Sequence, residues 1–259
     1  MMTSWALSDL LMLAGGAFLA GLVDAVVGGG GLISVPTLFA VFPNAAPPLL
    51  LGTNKMAGVW GTASAAWRFA RGVELRWAIL LPATIAAFIF SFGGAYAVTH
   101  LPADALRKLL PFVLVGVAVY TLHKKDFGTV HAPVKGGTGV TLAAVGVGAA
   151  IGFYDGFFGP GTGSFLVFLF VRLFGQDFVN ASASSKIVNV ATNLAALLLF
   201  GIGGHVWWQL GLGMAVMNVL GSQIGSRLAL RHGVGFVRRM FLCVVGVLIL
   251  KTGYDAFLR

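Results

Sequence analysis

Two similar stretches stand in the two halves of this sequence: GLVDAVVGGGGLISVP at residues 21–36 and GFYDGFFGPGTGSFLV at residues 152–167. Each contains an aspartate, Asp24 or Asp155, followed closely by helix-breaking residues. Four consecutive glycines, or a Gly-Pro-Gly run, cannot continue a stable helix. The sequence therefore predicts that each stretch is a helix interrupted partway, with a short segment after the break.

The composition shows what surrounds these stretches. Hydrophobic residues make up 58% of the chain and charged residues 10%, with a mean hydropathy of +0.92. A soluble domain does not bury that much apolar surface. Residues 78–99 contain no charged side chain, and a run of this length can cross a bilayer as a helix. We therefore expect an all-α, polytopic membrane bundle with discontinuous helices.

One sequence offset relates the two halves. Asp24 and Asp155 are 131 positions apart (155 − 24), and so are Lys55 and Lys186 (186 − 55) and several glycines. Transporter folds often carry such a duplication as weak internal symmetry. It predicts a first membrane repeat at residues 1–122, a cytoplasmic linker at 123–137 and a second repeat at 138–259.

Each repeat contains five apolar segments, two of them short. In the first they lie near residues 8–27, 32–42, 50–67, 77–99 and 107–122; in the second, near 138–158, 163–174, 183–204, 206–226 and 237–257. An odd number of segments inverts the second repeat relative to the first, which is an arrangement known in transporters.

Loop charges give the orientation. Arg68, Arg71 and Arg76 share one loop, whereas its counterpart at residues 201–206 has no lysine or arginine. The linker and residues 227–239 are also rich in basic side chains. The positive-inside rule then places these three loops in the cytoplasm and both termini outside, in a multi-pass protein of the bacterial inner (plasma) membrane. Because the formal charge of +9 sits in such short clusters, we expect no nucleic-acid partner.

The breaks are candidate anion sites. Irregular backbone at membrane depth persists only inside protein or beside water, and the helix that restarts after a break presents unpaired amide groups to an anion. The alternative is close helix packing through small residues. Recurrence of the breaks in both halves favours a binding site.

A lysine begins a later apolar helix in each half. Lys55 follows Thr53 and Asn54, and Lys186 follows Ser184 and Ser185. A lysine in the membrane is costly without a partner or a task, and the two aspartates are available partners. Asn189 and Asn193 continue one helical face from Lys186. The alternative for the lysines is snorkelling to the headgroups.

These features define the candidate site. The predicted substrate-binding residues are Gly28, Gly29, Gly30, Gly31, Thr53, Asn54, Lys55, Gly159, Gly161, Thr162, Gly163, Ser184, Ser185, Lys186, Asn189 and Asn193. Asp24 and Asp155 are either structural partners or proton-coupling carboxylates. The five histidines lie near segment ends or in loops without metal-ligand spacing, so we expect no metal and no cofactor.

This combination of sequence motifs resembles the sulfite exporter TauE/SafE family of membrane transporters. The resemblance rests on Gly21 to Pro36, on Thr53-Asn54-Lys55 and on Gly152 to Gly163, and it covers nearly the whole chain. It implies a helical bundle with inverted repeats and transport of sulfite, sulfonates or related organic anions. The Gly-Pro-Gly run departs from a simple glycine run, so the two halves are expected to contribute unequally.

The sequence thus predicts a secondary transporter that moves a small, sulfur-containing anion by alternating access, with proton coupling through Asp24 or Asp155 as an addition. We expect its partners to be the anion, membrane lipid and protons. We expect the protein to be a monomer or a homodimer. A passive anion channel and a structural membrane subunit are the alternatives. An enzyme is not expected, because the chain has no H-E-x-x-H, no G-x-S-x-G and no paired catalytic aspartates.

Overall fold

The described part of the chain is entirely helical. A computed structural model describes residues 5–102 and 137–232, together with isolated positions between them. Within these residues it contains eight helices and no strand: α1 (Leu7–Val27), α2 (Gly31–Val41), α3 (Pro47–Ala70), α4 (Trp77–Thr99), α5 (Thr138–Phe157), α6 (Thr162–Phe174), α7 (Phe178–Ile202) and α8 (Trp208–His232).

Four helices, α1, α4, α5 and α7, are long and apolar enough to cross a membrane. The predicted all-α, polytopic fold is confirmed. The predicted segment near 50–67 lies within the longer helix α3, and the segments near 183–204 and 206–226 overlap α7, which begins earlier and ends at Ile202, and α8, which begins at Trp208 and ends later. Segment 107–122, apart from a few isolated positions, and segment 237–257 lie outside the described residues.

The helix starts repeat with the offset found in the sequence. The first residues of α1 to α4 (7, 31, 47, 77) precede those of α5 to α8 (138, 162, 178, 208) by 131 each (138 − 7). Buried hydrogen bonds repeat too: Ser91 Oγ donates to Thr192 O over 2.8 Å, and Ser222 Oγ donates to Gly61 O over 2.7 Å. This agreement supports the duplication, while the inversion of one half relative to the membrane stays a prediction.

The halves interlock by exchanging packing partners. Helix α1 packs against α8, and α5 packs against α4. Gly21 lies against the backbone of Asn218, and Gly152 lies against the backbone of Ala87, so closely that an added Cβ at either glycine would overlap main-chain atoms. Because each first helix is held by the other half, both breaks lie in the middle of the bundle.

The outer surface is apolar, as a lipid-facing surface must be. Leu81, Ile85 and Ile89 form an exposed stripe on α4, and residues 212, 216 and 220 form the equivalent stripe on α8. Such continuous apolar exposure is uncommon in soluble monomers. Trp77 and Trp208 are half exposed where α4 and α8 begin, which suits interfacial anchors.

A polar cavity between the two helix breaks

Both predicted interruptions are present. Helix α1 ends at Val27, where Gly28 takes a φ of 76°, and α2 begins three residues later. In the second half, Gly159 and Gly161 have φ values of 94° and 83° before α6 begins. These left-handed conformations strongly favour glycine. Gly30, the equivalent of Gly161, has a φ of −53°, so the two breaks differ in shape.

The two breaks touch each other. A Cβ on Gly163 would lie 2.5 Å from Gly28 Cα. The Ser164 amide donates to Gly28 O over 2.5 Å, and the Ser164 hydroxyl lies 2.9 Å from both Val27 O and Gly28 O. Carbonyl groups released by the first break are therefore satisfied by the second half rather than exposed to lipid. At Gly28 and Gly163 the close-packing interpretation is the one that fits.

All the glycines of the two breaks except Gly28 line a polar cavity, including the closely packed Gly163. Gly29, Gly30 and Gly31 line it from the first half, and residues 159 and 161–163 line it from the second. Its volume open to the centre of a water molecule is about 40 Å³, which exceeds the roughly 10–15 Å³ needed for one water. The cavity can hold a few waters or a small ion.

Lys55 and Asp155 form a buried ion pair in this cavity. Lys55 Nζ lies 2.7 Å from Asp155 Oδ2, and the two side chains are 3% and 2% exposed. The ammonium also lies where it would meet a Cβ on Gly159 at 3.1 Å, so the second break leaves room for it. The snorkelling alternative is therefore wrong for Lys55.

Lys186 crosses between the halves in the opposite direction. Its ammonium donates to the main-chain oxygen of Asp24 over 3.0 Å and lies 5.1 Å from the centre of the Phe69 ring. The side chain is 2% exposed, so snorkelling is wrong here too. Each lysine thus bonds the interrupted helix of the other half, but Lys186 is not part of the cavity lining.

Asp24 lies in the cavity with neutral partners. Thr62 Oγ1 donates to its Oδ2 over 2.9 Å, and the Gly30 amide donates to its Oδ1 over a longer 3.4 Å. Among the described residues, the ion pair formed within 4.0 Å is that of Lys55 with Asp155, and Asp24 has none. The two aspartates, equivalent in sequence, therefore differ in their electrostatic surroundings.

Predicted polar residues on α3 and α7 also reach the cavity. Asn54, Asn189 and Asn193 line it together with Lys55. Their side-chain amides supply donors and acceptors without adding net charge. The predicted polar stripe on α7 therefore faces the cavity through its two asparagines, but not through Lys186.

Other predicted binding residues are used elsewhere. Gly28 packs on the second break as described, outside the lining. Thr53 Oγ1 donates to Leu49 O over 2.7 Å and accepts the Trp207 amide at 3.0 Å. Ser184 donates to Gln176 and Ser185 donates to Gly163 O. The hydroxyl groups before the lysines thus hold helices together and do not line the cavity.

Four lining residues were not predicted: Ser34, Gly58, Thr62 and Asn218. Gly58 and Thr62 follow Lys55 by three and seven positions, as Asn189 and Asn193 follow Lys186. Applying the same helical spacing to the first half would have found both. Ser34 and Asn218 have no polar equivalent in the other half, where the positions are Phe165 and Ala87, so the offset gives no signal for them.

Metal-binding clusters of histidine, cysteine or carboxylate side chains are absent from the part of the chain that the structure describes. The histidines at 123 and 131 lie outside it. Of the residues that the structure describes, one lysine, two aspartates and neutral groups, several of them hydrogen-bonding, line the cavity, which suits a small polar or ionic solute.

Comparison with known proteins identifies the family of the chain. The profile of the family described as "Sulfite exporter TauE/SafE" matches residues 13–252. The chain is 36% identical over 240 residues to the "Probable membrane transporter protein YfcA" of Escherichia coli (strain K12), covering 93% of this chain and 88% of that protein. It is 37% identical over 242 residues to the "Probable membrane transporter protein ORF9" of Sinorhizobium sp, covering 92% and 90%.

A protein of Haemophilus influenzae named "Probable membrane transporter protein" is 34% identical over 242 residues, covering 92% of each chain. No solved structure gave a significant match. The family profile and these relatives cover almost the full length of the described bundle, including both breaks and both lysines. The chain belongs to the sulfite exporter TauE/SafE family of membrane transporters.

Proposed function

We propose that this membrane transporter is a secondary carrier that moves a small, sulfur-containing anion, such as sulfite or a sulfonate, across the bacterial inner membrane. The observation that carries the proposal is the buried Lys55 ammonium in a polar cavity between two helix breaks. A buried ionisable group inside a membrane bundle marks a substrate or ion pathway by default. Discontinuous helices at the contact of two repeats are the usual place for a transporter site.

The donors around the cavity suit a sulfur oxyanion. Besides Lys55, the lining offers the side-chain amides of Asn54, Asn189 and Asn193. The Thr162 hydroxyl also lies in the lining, but it donates to Gly159 O over 2.7 Å. Sulfite and sulfonates present three acceptor oxygens, which can take charge-assisted bonds from an ammonium and further bonds from amides. The small volume favours a compact anion over a bulky one. In this proposal the anion shares the ammonium with Asp155 or displaces it.

The way in which the halves are joined supports alternating access. Each lysine bonds the interrupted helix of the opposite half, so a rocking motion of one half against the other would make and break contacts at the cavity itself. Interlocked repeats around a central site are the arrangement that such motion requires. The arginine-rich loop at residues 68–76 supports a cytoplasmic position for the end of α3 and, with it, external termini.

Uptake and counterflow in proteoliposomes test the proposal. We expect labelled sulfite or a labelled sulfonate to enter, with the initial rate increased by the same anion inside, since trans-stimulation is the property of a carrier. Current without trans-stimulation would indicate a channel instead, and the absence of both would indicate a structural subunit. Chloride and acetate serve as control anions in this assay, because neither has three sulfur-bound oxygens.

The lysine variants test the site. We expect Lys55→Ala to abolish transport, whereas Lys108→Ala, at an exposed position away from the cavity, should transport normally. Lys55→Ala leaves Asp155 charged and unpaired. The double variant Lys55→Met with Asp155→Asn has no unpaired charge at these positions, so we expect it to fold better and to be the more informative variant. Transport that survives in this pair, or in Lys55→Ala with Lys186→Ala, would contradict the site.

A further inference from the structure

We infer that binding of the anion in this cavity takes up one proton, and that the Asp24 carboxylate receives it. The inference rests on the proposed function, since it requires an anion in the cavity. It assigns different tasks to the two sequence-equivalent aspartates: Asp155 is the charged partner of Lys55, and Asp24 is the proton site.

The first argument is the charge of the cavity. Among the residues that the structure describes, its lining contains one cation, Lys55, and two carboxylates, Asp24 and Asp155. Counting Lys186, which bonds the main chain of Asp24 from behind the lining, the four groups sum to zero. An anion that enters therefore makes the local charge negative in a place where water screens little. Uptake of one proton restores neutrality, so anion and proton binding favour each other.

The second argument decides between the two carboxylates. Asp155 holds the Lys55 ammonium at 2.7 Å, a charge-assisted bond that an ionised carboxylate accepts. Among the described residues, no ammonium lies within 4.0 Å of the Asp24 carboxylate oxygens, and their close partner is the Thr62 hydroxyl at 2.9 Å. A hydroxyl can donate to a carboxylate and accept from a carboxylic acid. The Thr62 contact therefore fits both protonation states, whereas the Lys55 contact fits only one.

Other charged groups also lie near Asp24, and one of them, the Lys186 ammonium, interacts with it electrostatically. The charged groups near Asp24 are Lys186 of α7, Lys55 of α3 and Asp155 of α5. From α2, α6 and α8 the cavity receives only the uncharged side chains of Ser34, Thr162 and Asn218. Arg68 of α3 bonds Gln223 of α8. The described arginines 227 and 231 of α8 are exposed.

The balance of the step is simple. One anion and one proton enter from the same aqueous side, the proton rests on an Asp24 oxygen, and both leave on the other side. No bond to the anion forms or breaks. The ratio of one proton to one monovalent anion makes the transported unit neutral, so the pH gradient drives the anion while the membrane potential does not.

Calorimetry on the purified protein tests the linkage with methanesulfonate, whose sulfonate does not titrate near neutral pH. Titrations in buffers of different ionisation enthalpy count the protons taken up on binding. For the unchanged protein we expect about one proton per anion where Asp24 starts charged, and a Kd that rises about tenfold per pH unit there, as single-proton linkage requires. For Asp24→Asn we expect no proton uptake and a Kd independent of pH.

Two comparisons make the result specific. Asp9→Asn, in the first turn of α1 and outside the cavity, should behave as the unchanged protein. Thr62→Val removes the hydroxyl that bonds Asp24, so the pH range over which the Kd changes should shift, with one proton still taken up. This second variant keeps the test available if Asp24→Asn does not fold.

Methanesulfonate binding without proton uptake would overturn the inference and leave the proposed function standing. Proton uptake that persists in Asp24→Asn but disappears in Asp155→Asn would show that Asp155 receives the proton. That result would also overturn the inference. If neither methanesulfonate nor sulfite binds, the proposed substrate class fails, and the linkage fails with it.

Discussion

Lys55 of the first half and Asp155 of the second half form an ion pair of 2.7 Å that is almost completely shielded from solvent. The pair joins α3 to the end of α5. It lies next to Gly159, where the lack of a side chain leaves space for the ammonium. It connects the two halves at the cavity, so its integrity should affect stability and transport together.

Breaking this pair on one side should destabilise the protein strongly. We expect Lys55→Ala or Asp155→Ala to cost about 3–5 kcal/mol, because each leaves an uncompensated buried charge. The double variant Lys55→Met with Asp155→Asn should recover most of that loss, because no charge stays unpaired. Reversible unfolding in mixed micelles measures all three, and a double-mutant cycle gives the coupling energy.

The control for this cycle is Asp9→Asn, which removes a carboxylate outside the cavity and should change stability by less than about 0.5 kcal/mol. Purely additive losses for Lys55 and Asp155 would contradict an energetic coupling across the halves.

The contact between the two breaks gives a second prediction. Gly163→Ala should destabilise the protein, because the new Cβ would stand 2.5 Å from Gly28 Cα and backbone must move. The matched control is Gly146→Ala, also within a helix, where nothing lies within 4 Å. That change should be neutral or stabilising by up to about 1 kcal/mol, since alanine is the better helix former. Thermal unfolding of both variants checks the contrast, and equal behaviour would contradict the contact.

Much of this fold follows from local sequence features. The glycine runs predict the breaks at Gly28 and Gly159 because no other residue tolerates such backbone as well. The cost of a lysine in a membrane predicts that Lys55 and Lys186 have partners. These conclusions need only the chemistry of single residues and their neighbours along the chain.

The pairing itself could not be predicted in this way. Lys55 bonds a side chain of the other half, whereas its equivalent Lys186 bonds a main-chain oxygen, and this difference depends on how the halves pack. The hydroxyl residues Thr53 and Ser184 illustrate a second limit. Each lies two positions before its lysine, about 200° around the helix, so a place next to the lysine in sequence does not bring the hydroxyl to the cavity.

Adding negative charge to the cavity should weaken anion binding without changing its shape. We expect Asn189→Asp to raise the KM for a sulfonate roughly 30-fold, because two charges about 8 Å apart repel by about 2 kcal/mol at an effective dielectric constant of 20. The control is Asn44→Asp in the exposed loop after α2. Initial rates of uptake into proteoliposomes measure both, and an unchanged KM for Asn189→Asp would place the anion elsewhere.

Cysteine accessibility tests whether water reaches the cavity. The single native cysteine, Cys243, is first replaced by alanine. Asn193→Cys, which faces the cavity, should then react with a small, membrane-impermeant thiol reagent, whereas Thr192→Cys, at a fully buried position outside the lining, should not. A bound anion should slow the reaction at position 193, because it occupies the same space. Labelling of right-side-out and inside-out vesicles shows which face the cavity opens to, and equal, anion-insensitive rates at 192 and 193 would mean that the polar space between the breaks is not the route of transport.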